Sequence, residues 1–428
     1  MATSSSSSPK CPNSVNYLYP PDKVLMLRSH TPCQPFGEDY YMAPFDDDPT
    51  YQDPAILALS TSEESVFSKE SRDRDPSSPI PPFARSYFDA QGHGASLRII
   101  EGKAIGRAKG AQVFLCEVQT TPSEYWKAMG WNDSRFPAKV IAKIFDPLYY
   151  PTISPYGGER LDLVSWADKQ FAHEAAAYIE IHGHRQEHPI IDDITPNFFG
   201  TFTITHESPT DKYPYRLRQV RVVLLECIEG TPLVNLCKIR RRRRSPNILV
   251  PTERAGAEEE RLQVFARMLH GIVAMERIGV FHEDPDPWNI IIAENKIGTS
   301  AKRVVITDFN ISRVERYTES GRHFAQDLPR PLHPRWRFGI DGFERFSGWF
   351  PREWLDYVEP CRRDSDTDLD EEAEDDPGPS FTKWALKTFH EDDFVLADEA
   401  DEIAERQDAE AGAQQEKDAM EVDEHQPV

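Results

Sequence analysis

Two short acidic strings, each joined to a β-branched apolar run, constrain this chain more than any other feature. HEDPDPWN, residues 282–289, leads into IIIA, and VVITDFN spans residues 304–310. Asp284 and Asn289 stand five residues apart in a loop between a long helix and a strand-like run. Asp308 follows nineteen residues after Asn289, at the end of another apolar run. The helix upstream is the strongest local signal. Leu262, Phe265, Leu269, Ile272 and Met275 repeat every three to four residues, and Gly279 closes the pattern.

The flanking sequence fills in a mixed α+β organisation. LRIIEGKAIG, AQVFLCEV and AKVIAKIFD are Val- and Ile-rich runs broken by Gly, Pro and polar clusters, the pattern of neighbouring strands in a small antiparallel sheet. SWADKQFAHEAAAYIEIHG suits a helix stopped near Gly183, and FFGTFTIT and QVRVVLLECIEG read as two further strands. Residues 1–90 are rich in Ser, Pro and Asp and are expected to be disordered. After Arg313 the chain is irregular and aromatic.

Net charge is −23, but residues 364–428 hold 24 acidic and 4 basic side chains, a net of −20. The acidity belongs to this stretch, which is expected to be a disordered tail whose helical propensity between 391 and 420 gives at best a fraying helix. Six scattered cysteines without a CxxC pair suit a reducing compartment rather than a disulfide scaffold or zinc site. The N-terminus lacks the apolar stretch of a secretory signal, and no run approaches the roughly 18 apolar residues of a membrane span. A cytoplasmic or nuclear protein without membrane attachment is expected, as a monomer.

Phosphoryl transfer needs phosphates and magnesium held in line with an acceptor, and a carboxylate to orient the acceptor hydroxyl. The spacing H-x-D-x-x-x-x-N of HEDPDPWN, followed by Asp308-Phe309, resembles the catalytic loop and metal-binding motif of the protein-kinase-like superfamily, of the divergent kind found in fungi, over roughly residues 95–315. The resemblance implies a two-lobed kinase-like fold, with an antiparallel N-lobe sheet, a shortened helical C-lobe and disordered flanks. Its domains are a disordered segment at 1–90, an N-lobe with hinge at 91–232, a reduced C-lobe at 233–363 and the acidic tail at 364–428. ATP and Mg are the implied cofactors. Asp284 would orient the acceptor, Asn289 and Asp308 would bind metal, and Lys143, rather than Lys139, would meet the α and β phosphates with Glu174 as its helix partner. Leu225 would be the gatekeeper, and Glu226 to Ile228 the backbone facing adenine. Gly106 and Val113 match the glycine-rich loop; Ala108 and Ala111 replace its other glycines, with Gly110 one residue early. No Walker A loop is present, which argues against a P-loop NTPase.

Four departures qualify the match. Asn310 replaces the glycine after Phe309, and Asn tolerates left-handed backbone angles. Asp286 stands where Ser/Thr kinases carry a lysine, and a carboxylate there repels phosphate. Glu283 replaces the arginine that answers a phosphorylated activation loop. No Ala-Pro-Glu motif follows Asp308. An active phosphotransferase of Ser/Thr-type resemblance, a binding pseudokinase, and a small-molecule kinase of the aminoglycoside or choline type are therefore the three readings, with the acceptor open. The run Arg240 to Arg244 is a candidate import signal or anion patch, against the plainer reading of a solvated loop.

Overall fold

The computed structural model describes residues 18–37, 40, 94–104, 110–120, 137–151, 153, 162–207, 217–240, 248–293, 302–318, 320–321, 324–338, 345–351, 353–354, 379–404 and 406. Gly106 and Arg241 to Arg244 lie outside them. The chain mixes α and β structure with antiparallel sheets, and it divides into two compact units. The first comprises residues 1–183, 196–228 and 308–319, and the second 184–195, 229–307 and 320–428.

In the first unit, six strands form a closed barrel in the order β1-β2-β3-β4-β6-β5. They are β1 (Val24–Ser29), β2 (Gly94–Ala104), β3 (Gln112–Thr120), β4 (Lys139–Phe145), β5 (Phe198–Glu207) and β6 (Leu217–Glu226). β2 to β6 arise from the β-branched runs of the sequence. β1 is the strand that closes the ring, antiparallel to β2 through pairs such as Leu25 with Leu97, and to β5 through pairs such as Arg28 with Thr203. Leu25 and Leu27 are buried while Val24 and Met26 face out, the two-residue alternation of a strand. Sequence reading placed this stretch in a disordered segment. VLML is apolar at every position, so its alternation shows only once partners far along the chain choose an inner face.

Beside the barrel runs α1 (Leu163–His184). The Asp162 carboxylate accepts the N–H groups of Val164 and Ser165 at 3.1 and 3.2 Å, satisfying two donors that a helix start leaves open. Phe171 meets Phe145 edge-on at 5.5 Å, and Tyr178 stacks on Phe198 at 5.7 Å. Tyr19 packs among Phe114, Tyr149 and His206 and donates its hydroxyl to Asp146 at 2.7 Å.

The second unit holds α2 (Pro189–Ile194), β7 (Gly230–Pro232), β8 (Cys237–Arg240), β9 (Ile248–Pro251), α3 (Glu258–Arg277), β10 (Val280–Phe281), β11 (Ile290–Ala293), β12 (Arg303–Ile306) and α4 (Pro379–Thr388). α3 carries three glutamates in its first turn and Arg277 in its last, which suits the helix dipole, and Gly279 ends it at φ 79°. Gly271 lets α2 approach α3 closely: a Cβ there would lie 1.9 Å from Ile194 Cδ1. β12, β11 and β7 form a three-stranded antiparallel sheet, and β8 pairs with β9.

α4 lies inside the stretch expected to be an acidic tail. Phe381 and Trp384 join an aromatic cluster with Phe265, Phe338, Phe350 and Trp354. Charge averaged over 65 residues hides the few large apolar side chains that hold this segment down. The reading missed it because burying a Phe or Trp stabilises by about 1.5–3 kcal/mol, more than scattered exposed carboxylates oppose.

Candidate functional site

Each unit gathers one set of the residues singled out in the sequence. In the first, Lys139 and Lys143 share one face of β4, exposed at the strand's start and buried further along it. β4 lies between β3 and β6, and its register sets Lys143 opposite Val113 on one side and Val223 on the other. The Lys143 Nζ donates to Glu174 of α1 and, at 2.5 Å, to Asp308. Glu174 is wholly buried, whereas the Asp308 side chain is 41% exposed. Burial alone would push the ammonium down, but the Asp308 and Glu174 carboxylates outweigh it and hold Lys143 above its ordinary range. Burial pushes Glu174 up to about 7 against the pull of Lys143, with Asp308 adding to the rise. One cation thus serves two carboxylates.

Asp308 adopts φ 70°, left-handed for a residue with a side chain. The sequence pointed to Asn310 as the residue suited to that conformation; among the described residues, Asp308 takes it instead. The segment after Asp308 is secured to α1 at three places. Phe309 meets Tyr178 at 5.0 Å, and Arg316 pairs with Glu180 at 2.8 Å. The third is Tyr40, which sequence reading had left in a disordered segment. Its ring lies edge-on to His173 at 4.8 Å, its hydroxyl donates to the Ser312 carbonyl at 3.0 Å, and it accepts the Val314 N–H at 2.8 Å. Phe36 completes this strap by offering its carbonyl to His173 Nε2 at 2.9 Å.

Gly110 stands at φ 78°, where an added Cβ would approach the Gln170 amide and the Tyr150 ring. The Tyr150 hydroxyl and Glu174 Oε1 are buried without a hydrogen-bond partner among the described residues. Burial, then the charges of Glu174 and Asp308, hold the Tyr150 phenol well above its usual range. Sequence reading did not single out Tyr150, whose position after the DPLY turn carries no motif. Leu225 is buried in β6 opposite Ile141, and the Glu226 N–H is committed to the Asn197 carbonyl at 2.8 Å.

In the second unit, the acidic loop is drawn tight by its own backbone, with N–H to carbonyl bonds from Asp284 to His282, from Asp286 to Asp284 and from Asn289 to Asp286. Glu283 sits at φ 59°. The Asn289 amide donates to the Asp284 carbonyl at 3.0 Å and to its carboxylate at 3.2 Å. The Asp286 carboxylate turns back to accept the Trp288 N–H at 3.0 Å. Burial raises Asp286, with that N–H and then Arg345 opposing. Arg345 donates to Asp284 Oδ1 at 2.6 Å, a contact sequence reading missed. Three carboxylates at 283, 284 and 286 without a base among them were the available signal.

No protein-family model matches the chain, and no curated protein matches it. Its structural neighbours are protein kinase domains. The BubR1 kinase domain is 12% identical at a TM-score of 0.32, with 55% of this chain and 53% of that chain covered. Vaccinia related kinase 3 is 11% identical at 0.32, covering 60% of each chain. The Mycobacterium tuberculosis PknI kinase domain is 12% identical at 0.26, covering 50% of this chain and 60% of that one. The matched part spans less than two thirds of each of those structures. These are coarse likenesses, and they assign no ligand and no residue role.

Among the described residues, no cluster of three or more His, Cys, Asp or Glu side chains is set to hold a metal ion. The candidate donors fit magnesium on chemistry all the same. Taken singly, Asp308 carries a partly exposed carboxylate, and Asn289 commits its amide nitrogen to Asp284 and keeps an amide oxygen, each a hard oxygen donor. Magnesium is commonly held by one or two such oxygens together with substrate phosphates. No helix among the described residues is long and apolar enough to cross a membrane.

Proposed function

We propose that this chain is an ATP- and magnesium-dependent phosphotransferase acting on a hydroxyl acceptor. The reading rests chiefly on Lys143, a buried cation bonded both to the helix carboxylate Glu174 and to Asp308, 165 residues away in sequence. Such an ammonium, held charged by its neighbours, is suited to the α and β phosphates of a nucleotide. Asp308 and Asn289 are the residues that would each offer magnesium an oxygen, and a bound magnesium would neutralise phosphate charge. Asp284 orients the acceptor hydroxyl and receives its proton as the acceptor oxygen bonds to the γ phosphorus and ADP departs. Since the Glu226 N–H is committed to Asn197, its carbonyl and the backbone on to Ile228 are the groups we assign to adenine, with Leu225 as gatekeeper.

The full chain with Mg-ATP is expected to show phosphoryl transfer or ATP hydrolysis that the Asp284→Ala, Asp308→Ala double variant lacks. Equal rates in the two proteins would end the enzymatic reading. A binding-only role is favoured by one feature, the engagement of Asp284 by Arg345. Thermal stabilisation by ATP without turnover would select it.

A further inference from the structure

The acidic loop carries Glu283, Asp284 and Asp286, and no basic residue lies between His282 and Asn289. A phosphoryl group brought to such a loop meets repulsion unless a cation is supplied from elsewhere. Two arginines from residues 330–350 answer it. Arg337 pairs with Glu276 and feels the charge of Glu283, while Arg345 bonds Asp284 and acts on Asp286.

The two differ in what remains of each guanidinium. Arg337 gives its Nε to Glu276 and lays its guanidinium against the Phe281 ring, 5.9 Å from the centroid. Arg345 uses Nη1 alone, makes no other hydrogen bond among the described residues, and has 47% of its side chain exposed. A guanidinium has five N–H donors in a planar fork, so the contact through Nη1 leaves most of them for another acceptor.

Its backbone is nevertheless anchored. Phe346 and Trp349 on either side of Ser347 are buried, the Ser347 carbonyl accepts the Leu249 N–H at 2.9 Å, and Arg261 Nε donates to the Trp349 carbonyl at 2.9 Å. Much of the ordering cost of holding this arginine is therefore met by the fold before any ligand arrives. An ion pair that served only to orient Asp284 would gain most from a two-pronged grip; a single-nitrogen contact leaves the second prong for another oxygen.

We propose that Arg345 is an anion-binding residue of the acidic loop: one edge holds Asp284 and the other takes an oxygen of a phosphoryl group. This deepens the phosphotransferase reading and rests on it for biological meaning, but anion binding is testable without turnover. In the full chain, phenylglyoxal labelling of Arg345 and Arg337 is followed peptide by peptide, with and without inorganic phosphate. By mass action, labelling of Arg345 is expected to fall about fivefold at phosphate four times its dissociation constant, with Arg337 unchanged. Equal protection of the two arginines, or none, overturns the proposal.

A second arm compares turnover in Arg345→Lys and Arg345→Gln. The lysine variant is expected to keep part of the kcat that the glutamine variant loses, because it retains the charge. Matching losses in both variants count against an electrostatic role. Absence of turnover in the unaltered chain removes the enzymatic reading and leaves the labelling result to decide on the anion site.

Discussion

The two sets of candidate residues are built on opposite principles. In the first unit a lysine is sunk between two carboxylates, and Tyr40, Phe309 and Arg316 secure the segment that supplies one of them. In the second, the key carboxylate Asp284 is 37% exposed and held by one amide and one arginine. Removing a partner from a buried ion pair leaves a desolvated charge and costs several kcal/mol, whereas an exposed pair contributes about 0–1 kcal/mol. The first set is therefore part of what keeps its unit folded, and the second is free to serve chemistry alone.

The sharpest way to break this comparison is Lys143→Met. It is expected to lower stability by about 3 kcal/mol at pH 8, measured by denaturant unfolding, because Glu174, buried and stripped of its cation, must stay charged without a partner or take a proton from solution. The loss should shrink at pH 6, where Glu174 takes up a proton. A loss under about 0.5 kcal/mol at both pH values would place Lys143 among ordinary surface cations.

Glu174→Gln tests the same cluster through its titration. The folded value of about 7 lies above the ordinary 4.5, so the native state holds the extra proton. That contribution to stability is complete below pH 4.5 and is lost as pH rises through 7. The variant is expected to flatten the fall in melting temperature between those limits, and an unchanged slope would show that Glu174 does not titrate there.

A smaller effect is expected from Tyr40→Phe, which keeps the ring on His173 but removes both hydroxyl hydrogen bonds, at about 1–2 kcal/mol. Hydrogen exchange should quicken at Val314, whose N–H is bonded to that hydroxyl; unchanged exchange would dismiss the strap. The smallest stability change belongs to Asp284→Asn, within about 0.5 kcal/mol, with the proposed turnover lost. A large destabilisation there would erase the contrast between the sets.

The sequence displayed those parts of the fold in which local pattern and final environment agree. Strands β2 to β6 are β-branched runs, α1 and α3 repeat their apolar residues at helical spacing, and Gly279 takes the positive φ expected of a helix stop. What it concealed depends on partners distant along the chain. β1 has its inner face chosen by β2 and β5, α4 is held by an aromatic cluster inside an acidic background, and Tyr40 meets Ser312 across 272 residues. The candidate residues divide in the same way. Asp284 and Asn289 are legible because five residues of loop bring them together, but Arg345 reaches Asp284 from 61 residues downstream and belongs to no motif.

Closure of the barrel by β1 also imposes a timetable on synthesis. His30 and Thr201, which tie the end of this strand to its second neighbour, are separated by 171 residues. At translation speeds of roughly 5–20 residues per second, the strand waits about 10–35 s before that neighbour has been made. During that interval it is an apolar ribbon with an unpaired edge, able to join the matching gap in another nascent copy. β1 is thus made long before its second neighbour exists, and crowding on a single message would favour exchange of this strand between chains.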